Sequence, residues 1–236
     1  MLEVQDLTVA YGAVRALSGL SLQANAGTIT AVVGANGAGK SSLLRAISGL
    51  APILNGRIRV DGTDVTHLPA QRRARLGIAH AMEGRRIFRG MAVADNLHLA
   101  WTFGRRRTLW PDALARVYDT FPILAQKAGV AAGLLSGGQQ QMMIMASATL
   151  CDPALLLLDE PSLGLAPIIV QQIYAFLQDY RRDHGVTILL SEQMAAFALR
   201  NADQGYVLRR GSVVRHGSGT VLLGSDRGES LSDAYL

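Results

Sequence analysis

The sequence is short of cysteine, aromatic residues and charge, and each shortage excludes a class of protein. Among 236 residues there is one cysteine, Cys151, so no disulfide can form within the chain, which is typical of a reducing compartment. Charged residues make up 17% and apolar residues 49%, a balance that excludes an intrinsically disordered chain. Aromatic residues make up only 6%, too few to indicate a surface on which nucleic-acid bases stack.

Segments that direct a chain to a membrane are also missing. The first six residues have neither a basic region nor an apolar one, so we expect no signal peptide. Two long uncharged stretches, residues 17–39 and 128–151, are interrupted by glycines and side-chain amides, which makes a membrane-spanning helix of about 20 residues costly. We therefore expect a soluble protein, and docking on a membrane partner stays open.

The net charge is +5, and much of it comes from arginine runs at residues 72–75, 85–89 and 105–107. We interpret these runs chiefly as solvated surface, with an anionic partner as the alternative.

Strand-like and helix-like segments alternate around a glycine-rich turn, which is typical of an α/β protein with a largely parallel sheet. The expected strands are 2–9, 16–22, 28–33, 56–60, 154–158, 186–190, 205–208 and 212–215. The expected helices begin at Lys40 and stop at Gly49, cover 112–121 and 139–150, and run from Pro167 to about 182 and from Glu192 to about 200. We expect one domain over 1–236, in which a helical insertion at about 91–149 separates two core parts, 1–90 and 150–236.

One motif has the full pattern of a phosphate-binding loop, between a buried strand and a helix. It reads Gly34-Ala35-Asn36-Gly37-Ala38-Gly39-Lys40-Ser41, followed by Ser42. The glycines allow successive backbone N–H groups to converge on phosphate oxygens, and the helix N-terminus adds positive potential. Lys40 can reach the β- and γ-phosphates of a nucleotide, and the Ser41 hydroxyl can bind Mg²⁺.

A second motif is a pair of carboxylates after four leucines, Leu155 to Leu158. The leucines predict a buried strand, and ligands bind at the carboxyl ends of strands in open α/β sheets. Asp159 suits a contact to Mg²⁺ through water, and Glu160 suits a general base that activates the attacking water.

A third motif is a second anion site in the helical insertion, with an N-cap serine and two glycines before a helix. It reads Leu135-Ser136-Gly137-Gly138-Gln139. A single phosphate chain has little need of two such sites from one subunit. With the other two motifs, it resembles the signature of ATP-binding cassette (ABC) ATPases, a resemblance that covers the whole chain.

The resemblance implies an ATPase with ATP as its substrate and Mg²⁺ as its cofactor, working as a head-to-tail pair. In that family the signature closes over ATP held by the other subunit, and an aromatic residue in the position of Tyr11 stacks on adenine. Leu163-Gly164-Leu165-Ala166 takes the place of the loop that contacts the partner ATPase. The implied fold is of the phosphate-loop NTPase type, a mostly parallel sheet with an N-terminal antiparallel β region and a helical subdomain.

Within the family, the sequence is similar to the ATP-binding subunits of branched-chain amino acid importers. The similar stretches are the phosphate loop, residues 83–88, residues 159–167, Glu192-Gln193 and the terminal Ala234-Tyr235-Leu236. The sequence departs from the broad family where Glu83 replaces glutamine, Gln193 replaces histidine and Ser147 replaces arginine. His80-Ala81-Met82 also replaces the usual tyrosine-valine-proline before Glu83.

From this resemblance we expect an ATPase subunit on the cytoplasmic face of the cell membrane. Its expected partners are a second ABC ATPase subunit, identical or different, two membrane-spanning permease subunits docked at residues 83–90, and indirectly a substrate-binding protein. Glu160 and Gln193 are the expected catalytic residues, and Ser41, Glu83 and Asp159 the expected metal-binding residues. The alternatives are a soluble ABC ATPase that acts on nucleic acid or ribosomes, a weakly hydrolysing regulatory subunit, and an exporter subunit.

Overall fold

The computed structural model describes residues 1–105 and 108–224, whose strands form two sheets. The strands are β1 (Leu2–Tyr11), β2 (Val14–Ala24), β3 (Ile29–Val33), β4 (Ile53–Val60), β5 (Thr63–Asp64), β6 (Ile78–Ala81), β7 (Leu155–Asp159), β8 (Thr187–Glu192), β9 (Gln204–Arg209) and β10 (Ser212–Ser218). The helices are α1 (Lys40–Ser48), α2 (Ala70–Arg75), α3 (Val93–Phe103), α4 (Trp110–Thr120), α5 (Pro122–Gln126), α6 (Gly137–Leu150), α7 (Pro167–His184), α8 (Ala195–Arg200) and α9 (Gly219–Gly224). A 3-10 turn covers Ala132–Leu134.

Two parts of the sequence argument, the end of the third arginine run at 106–107 and the terminal residues 234–236, lie outside the described residues. Within the described ranges, every helix is too short or too polar to cross a membrane.

The larger sheet has the strand order β10-β9-β3-β8-β7-β6, and all its neighbouring strands are parallel except β10 and β9. The smaller sheet, β2-β1-β4-β5, is antiparallel and comes mostly from the N-terminal part of the chain. Helices α3 to α6 occupy the connection between β6 and β7. The predicted fold class, a mostly parallel core with an antiparallel N-terminal β region and helices, is confirmed.

The central strands are buried on both faces, because helices cover one side and a helix plus the small sheet cover the other. In β7, Leu156 and Leu158 pack into a cluster with α6 and α7, whereas Leu155 and Leu157 pack into a second cluster with α1 and the small sheet. Successive side chains of a strand point to opposite faces, so one run of leucines supplies both clusters. The same double burial fixes the position of α1, whose first turn forms part of the phosphate loop.

The helices beside the site begin and end where the local sequence predicts. Helix α1 ends at Gly49, which has a φ of 79° and donates its N–H to Ala46 O, so the predicted stop is confirmed. Helix α7 begins with Pro167, whose missing N–H costs nothing in the first turn, and its last residue, His184, is followed by Gly185 as the C-cap.

One predicted helix start was wrong. Glu192 is the last residue of β8, and α8 begins only at Ala195. Parallel pairing of Glu192 with Val33 of β3 keeps the segment extended, and all six residues of β8 are buried. Strand β4 also begins three residues earlier than predicted, because Ile53 pairs with Val9 of β1.

Candidate functional site

The site lies where three neighbouring parallel strands end. β8 lies between β3 and β7 in the sheet, so the carboxyl ends of all three meet at one edge. The phosphate loop follows β3, Gln193 follows β8, and Asp159 closes β7 with Glu160 directly after it. The sequence motifs, far apart along the chain, are therefore brought to the edge at which α/β sheets bind ligands.

The phosphate loop is packed so closely that two of its glycines have no room for a side chain. A Cβ on Gly34 would lie 2.4 Å from the carbonyl oxygen of Leu208. A Cβ on Gly39, whose φ is 107°, would lie 2.7 Å from the oxygen of Ala16. Gly39 precedes α1 without a side-chain cap, so the first N–H groups of α1 have no partner within the helix and are available to an anion.

Lys40 is buried, with 4% of its surface exposed, and its ammonium group is held by the loop itself. Nζ donates to the carbonyl oxygens of Gly34 at 2.7 Å and Ala35 at 3.2 Å, and forms an ion pair with Glu160 Oε1 at 3.2 Å. The cation is thus placed inside the loop, and the carboxylate paired with it in the described part of the chain is the one predicted to act as general base.

Asp159 is held by hydroxyl groups on both sides. Its Oδ1 accepts from Ser191 Oγ at 2.7 Å and from Ser41 Oγ at 3.0 Å. Its Oδ2 is buried without a hydrogen-bond partner among the described residues. A buried carboxylate oxygen with no donor is suited to a cation or to water bound by a cation, so Ser41 and Asp159 fit Mg²⁺.

The described residues contain no cluster of three or more histidine, cysteine or carboxylate side chains for a metal ion. Mg²⁺ usually binds through one or two protein groups together with water and substrate phosphates.

Glu160 has a φ of 48°, a conformation that is uncommon for residues other than glycine and that is found at functional sites. Its N–H donates to Ser191 O at 3.1 Å and approaches Ser191 Oγ at 3.2 Å, which fixes this turn against β8. The turn directs the side chain toward Lys40, so the sharp bend after β7 has a direct consequence for the site.

Two titratable side chains beside the site were missed by sequence reasoning. Glu192 is buried, and its Oε1 accepts from the N–H of Ser162 at 3.0 Å and from Tyr174 Oη at 3.4 Å. Burial is the main cause that raises the pKa of Glu192, ahead of the neighbouring charge of Glu160. Glu192 thereby connects the end of β8 to the loop after the acidic pair.

His80, the second titratable side chain that sequence reasoning missed, lies in β6, which pairs with β7. Its Nδ1 lies 3.0 Å from Ser48 Oγ, at the C-terminal end of α1. Burial lowers the pKa of His80 to about 4, although the charge of Asp159 acts in the opposite direction. His80 is therefore neutral at physiological pH and links β6 to the end of α1.

The signature motif forms the N-terminus of α6, as predicted. Ser136 is the N-cap: its Oγ accepts from Gln139 N at 3.3 Å, and its own N–H donates to Gln139 Oε1 at 3.0 Å. The serine hydroxyl keeps its hydrogen for an external acceptor. A Cβ on Gly138 would lie 3.4 Å from Ile169 of α7, so the motif packs against the start of that helix.

The phosphate loop and the signature have different surroundings in the chain. The glycines of the loop contact residues 16–17, 208 and 211, whereas those of the signature contact Arg85 and Ile169.

Several large apolar side chains beside the signature and the sheet edge are exposed. They are Leu134, at 80%, Leu163, Ile168 and Met194.

The remaining predicted site residues lie at the end of β1 and after the carboxyl ends of β6 and β8. Tyr11 is at the end of β1, 40% exposed, in the hairpin whose second strand contacts Gly39 through Ala16. Glu83 and Gln193 are exposed at the sheet edge, two residues after β6 and one after β8. Their roles toward ATP and metal stay predictions.

A cavity of about 430 Å³ lies between β6 and helices α3 and α6. Its lining includes Arg86, Ile87, Phe88, Phe103, Ser147 and Cys151. Phe88 and Phe103 are exposed. The segment predicted to dock a permease therefore borders an open, largely apolar cavity.

Comparison with known proteins agrees with this geometry. Residues 17–163 match the family model described as ABC transporter. The chain is 41% identical to the high-affinity branched-chain amino acid transport ATP-binding protein BraG of Pseudomonas aeruginosa, over all of the chain and 99% of the relative. It is 35% identical to the probable branched-chain amino acid transport ATP-binding protein LivF of Archaeoglobus fulgidus, over 98% of each. The solved structure of an ATP-binding subunit of an ABC transporter superposes with a TM-score of 0.86 at 26% identity, covering 99% of this chain and 97% of that one.

Proposed function

Because the chain belongs to the ATP-binding proteins of the ABC transporter family and is an ATPase, we propose that it powers a membrane importer for branched-chain amino acids. The names of BraG and LivF support this cargo, since both relatives are similar to the chain over nearly its whole length. We place the subunit on the cytoplasmic face of the membrane, bound to two permease subunits. A substrate-binding protein delivers the amino acid to these permease subunits.

The observation that carries the proposal is the separation of two anion sites in one chain. The phosphate loop lies at the end of β3, and the signature lies at the start of α6 with different neighbours. We propose that two ATPase subunits, identical or different, pair head to tail, so that the signature of each covers ATP on the loop of the other. The exposed side chains of Leu134, Leu163 and Ile168 are then buried by the partner.

ATP binding begins at the ion pair between Lys40 and Glu160. The phosphates take the place of the carboxylate at Lys40 Nζ, and this exchange releases Glu160 to accept a proton from the attacking water. Ser41 and Asp159 would hold Mg²⁺, with Glu83 as a further ligand. When bound, the ion would neutralise the negative charge that develops on the phosphate oxygens. Gln193 donates a hydrogen bond to the γ-phosphate, and Tyr11 stacks on adenine.

The cavity beside residues 83–90 is the proposed docking site of the permease. Its apolar lining and the exposed rings of Phe88 and Phe103 suit an apolar cytoplasmic segment, and Arg86 suits a carboxylate at the rim. Ser147 belongs to the same lining, where a longer side chain would take up part of the space. We propose that the helical segment 91–149 moves with this docked segment when the pair closes.

The proposal is tested by purifying the tagged full chain from membranes of its native cell and identifying what accompanies it. We expect two membrane-spanning proteins and an ABC ATPase subunit. Recovery with ribosomes or nucleic acid, and without a membrane protein, would contradict the importer.

A further inference from the structure

We propose that Arg85 is an additional residue of the composite ATP site and binds the terminal phosphate of ATP held by the other subunit. The inference rests on the proposed function, because it assumes that the signature covers ATP on a partner. It assigns Arg85 to the signature, whereas the sequence analysis treated Arg85 as surface charge within the segment 83–90 that is expected to dock the permease.

The backbone turns Arg85 toward the signature. Gly84 and Arg85 have φ values of 89° and 47°, so two consecutive residues adopt left-handed conformations. Such a conformation is uncommon for arginine and persists where the surrounding structure requires it. The neighbouring residues then diverge: Arg86 lines the cavity beside β6, and Arg85 reaches the start of α6.

The guanidinium group of Arg85 occupies the space that a side chain at Gly137 would need. A Cβ built on Gly137 would lie 2.6 Å from Arg85 Nη1 and 3.0 Å from Arg85 Cζ. A Cβ on Gly164, in the loop after the acidic pair, would lie 3.8 Å from Arg85 Nη2. Arg85 therefore connects the signature to the loop expected to contact the partner, and a larger residue at 137 would displace it.

The distance from Arg85 to the helix N-terminus is short enough for a shared anion. Standard geometry puts the Cβ position about 2.5 Å from the amide nitrogen of the same residue, so Nη1 lies within about 5 Å of Gly137 N. Charge-assisted hydrogen bonds are about 2.8 Å long. One phosphate oxygen placed between these two donors can accept from both.

The electrostatics of this arrangement favour an anion. Helix α6 has 14 residues with no acidic residue in its first turn, and its N-terminus carries partial positive charge. Arg85 adds a full positive charge there and has no ion-pair partner within the described chain. Two positive groups side by side repel each other until an anion binds between them.

The γ-phosphate of the partner's ATP is the anion that this position suits. The chain's own phosphate loop already has Lys40, buried among carbonyl oxygens and Glu160. Arg85 instead lies against Gly137 and Gly164, which belong to the two segments expected to face the partner. An arginine there recognises ATP but not ADP, because only ATP has the terminal phosphate that bridges the subunits.

The experiment compares Arg85→Gln with Arg86→Gln in the full-length Glu160→Gln protein, which we expect to hydrolyse ATP too slowly to release it during the measurement. Pair formation is measured by analytical ultracentrifugation against protein concentration, with Mg²⁺ and either ATP or ADP. ATP affinity is measured separately at concentrations where the chain is monomeric. We expect Arg85→Gln to weaken the ATP-dependent pair about 10- to 100-fold per site, the cost of one hydrogen bond to a charged group.

We expect the monomer to bind ATP with unchanged affinity in every variant, and Arg86→Gln to pair like the parent. Arg85→Lys keeps the charge without the forked geometry, so its pair strength should fall between those of arginine and glutamine. Equal pairing of Arg85→Gln and the parent, equal weakening by Arg86→Gln, or loss of monomer binding would overturn the role of Arg85. If the Glu160→Gln parent forms no ATP-dependent pair, either with itself or with the ABC ATPase subunit that co-purifies with it, the proposed composite site itself fails.

Discussion

Replacing Glu160 by glutamine should make ATP hydrolysis slower and nucleotide binding tighter at the same time. Glutamine keeps the size of the side chain but cannot act as a base at neutral pH. Loss of a general base typically lowers the rate about 10²- to 10⁴-fold. The increase in affinity comes from a separate feature, the ion pair between Glu160 and Lys40.

The size of the second effect follows from that contact. At 3.2 Å and an effective dielectric constant of 20, the gross attraction between the two charges is roughly 5 kcal/mol. Much of it is recovered when phosphate oxygens replace the carboxylate, so the net difference should be near that of one charged hydrogen bond, about 1.5–3 kcal/mol. We therefore expect about 10- to 100-fold tighter binding of nucleotide by Glu160→Gln.

The assay is calorimetric titration of the monomeric chain with a slowly hydrolysed ATP analogue and Mg²⁺, alongside single-turnover hydrolysis of ATP. Glu160→Asp is the matched control, because it keeps the negative charge but withdraws the carboxylate. It should hydrolyse slowly and gain less affinity than Glu160→Gln, because its negative charge still attracts Lys40. Equal affinities of Glu160→Gln and the unmodified chain would refute the competition, and normal hydrolysis would move the base to another residue.

Three further predictions concern residues around the same sheet edge. Lys40→Ala should abolish ATP binding and leave the circular dichroism spectrum unchanged, and near-native affinity by calorimetry would contradict our assignment of the loop. Gln193→His should raise the ATPase rate of the isolated chain about 10²- to 10³-fold, because a histidine can carry a positive charge toward the γ-phosphate, whereas glutamine offers only an uncharged hydrogen bond. If Gln193→His gains no activity, or if the unmodified chain alone hydrolyses ATP as fast as the assembled transporter, the site is not slow and does not depend on a different ATPase partner. His80 is neutral in the fold down to a pKa of about 4, whereas the unfolded chain takes up its proton near pH 6.5. The free energy of unfolding should thus decrease by up to ~3 kcal/mol as the pH is lowered from 6.5 to 4. In His80→Asn, urea unfolding should show a decrease that is smaller by this amount.

The phosphate loop and the acidic pair could be predicted from sequence because each is a local motif. The spacing of Gly34 and Gly39 follows from what a phosphate requires of consecutive residues, and four leucines suffice to place Asp159 at the end of a buried strand. The order of the strands was not needed to find these residues. It explains only why they meet.

The contacts that sequence reasoning missed all join residues far apart in the chain. Glu192 was assigned to a helix, because the pairing with Val33 that keeps it in β8 depends on the order of strands in the sheet. The contact of His80 with Ser48 and that of Arg85 with Gly137 likewise depend on how helices pack against strands. The capping box at Ser136 is different: its serine and glutamine, three residues apart, are a signal that the sequence does carry.

The central claim, that this ATPase powers import of branched-chain amino acids, is tested most directly by uptake of labelled leucine, isoleucine and valine. Cells that lack the chain should be compared with cells that regain either the unmodified chain or Glu160→Gln. We predict that uptake at low external concentration returns with the unmodified chain only, while both proteins are present at the membrane in equal amounts. Uptake that is normal without the chain, or fully restored by Glu160→Gln, would contradict the account.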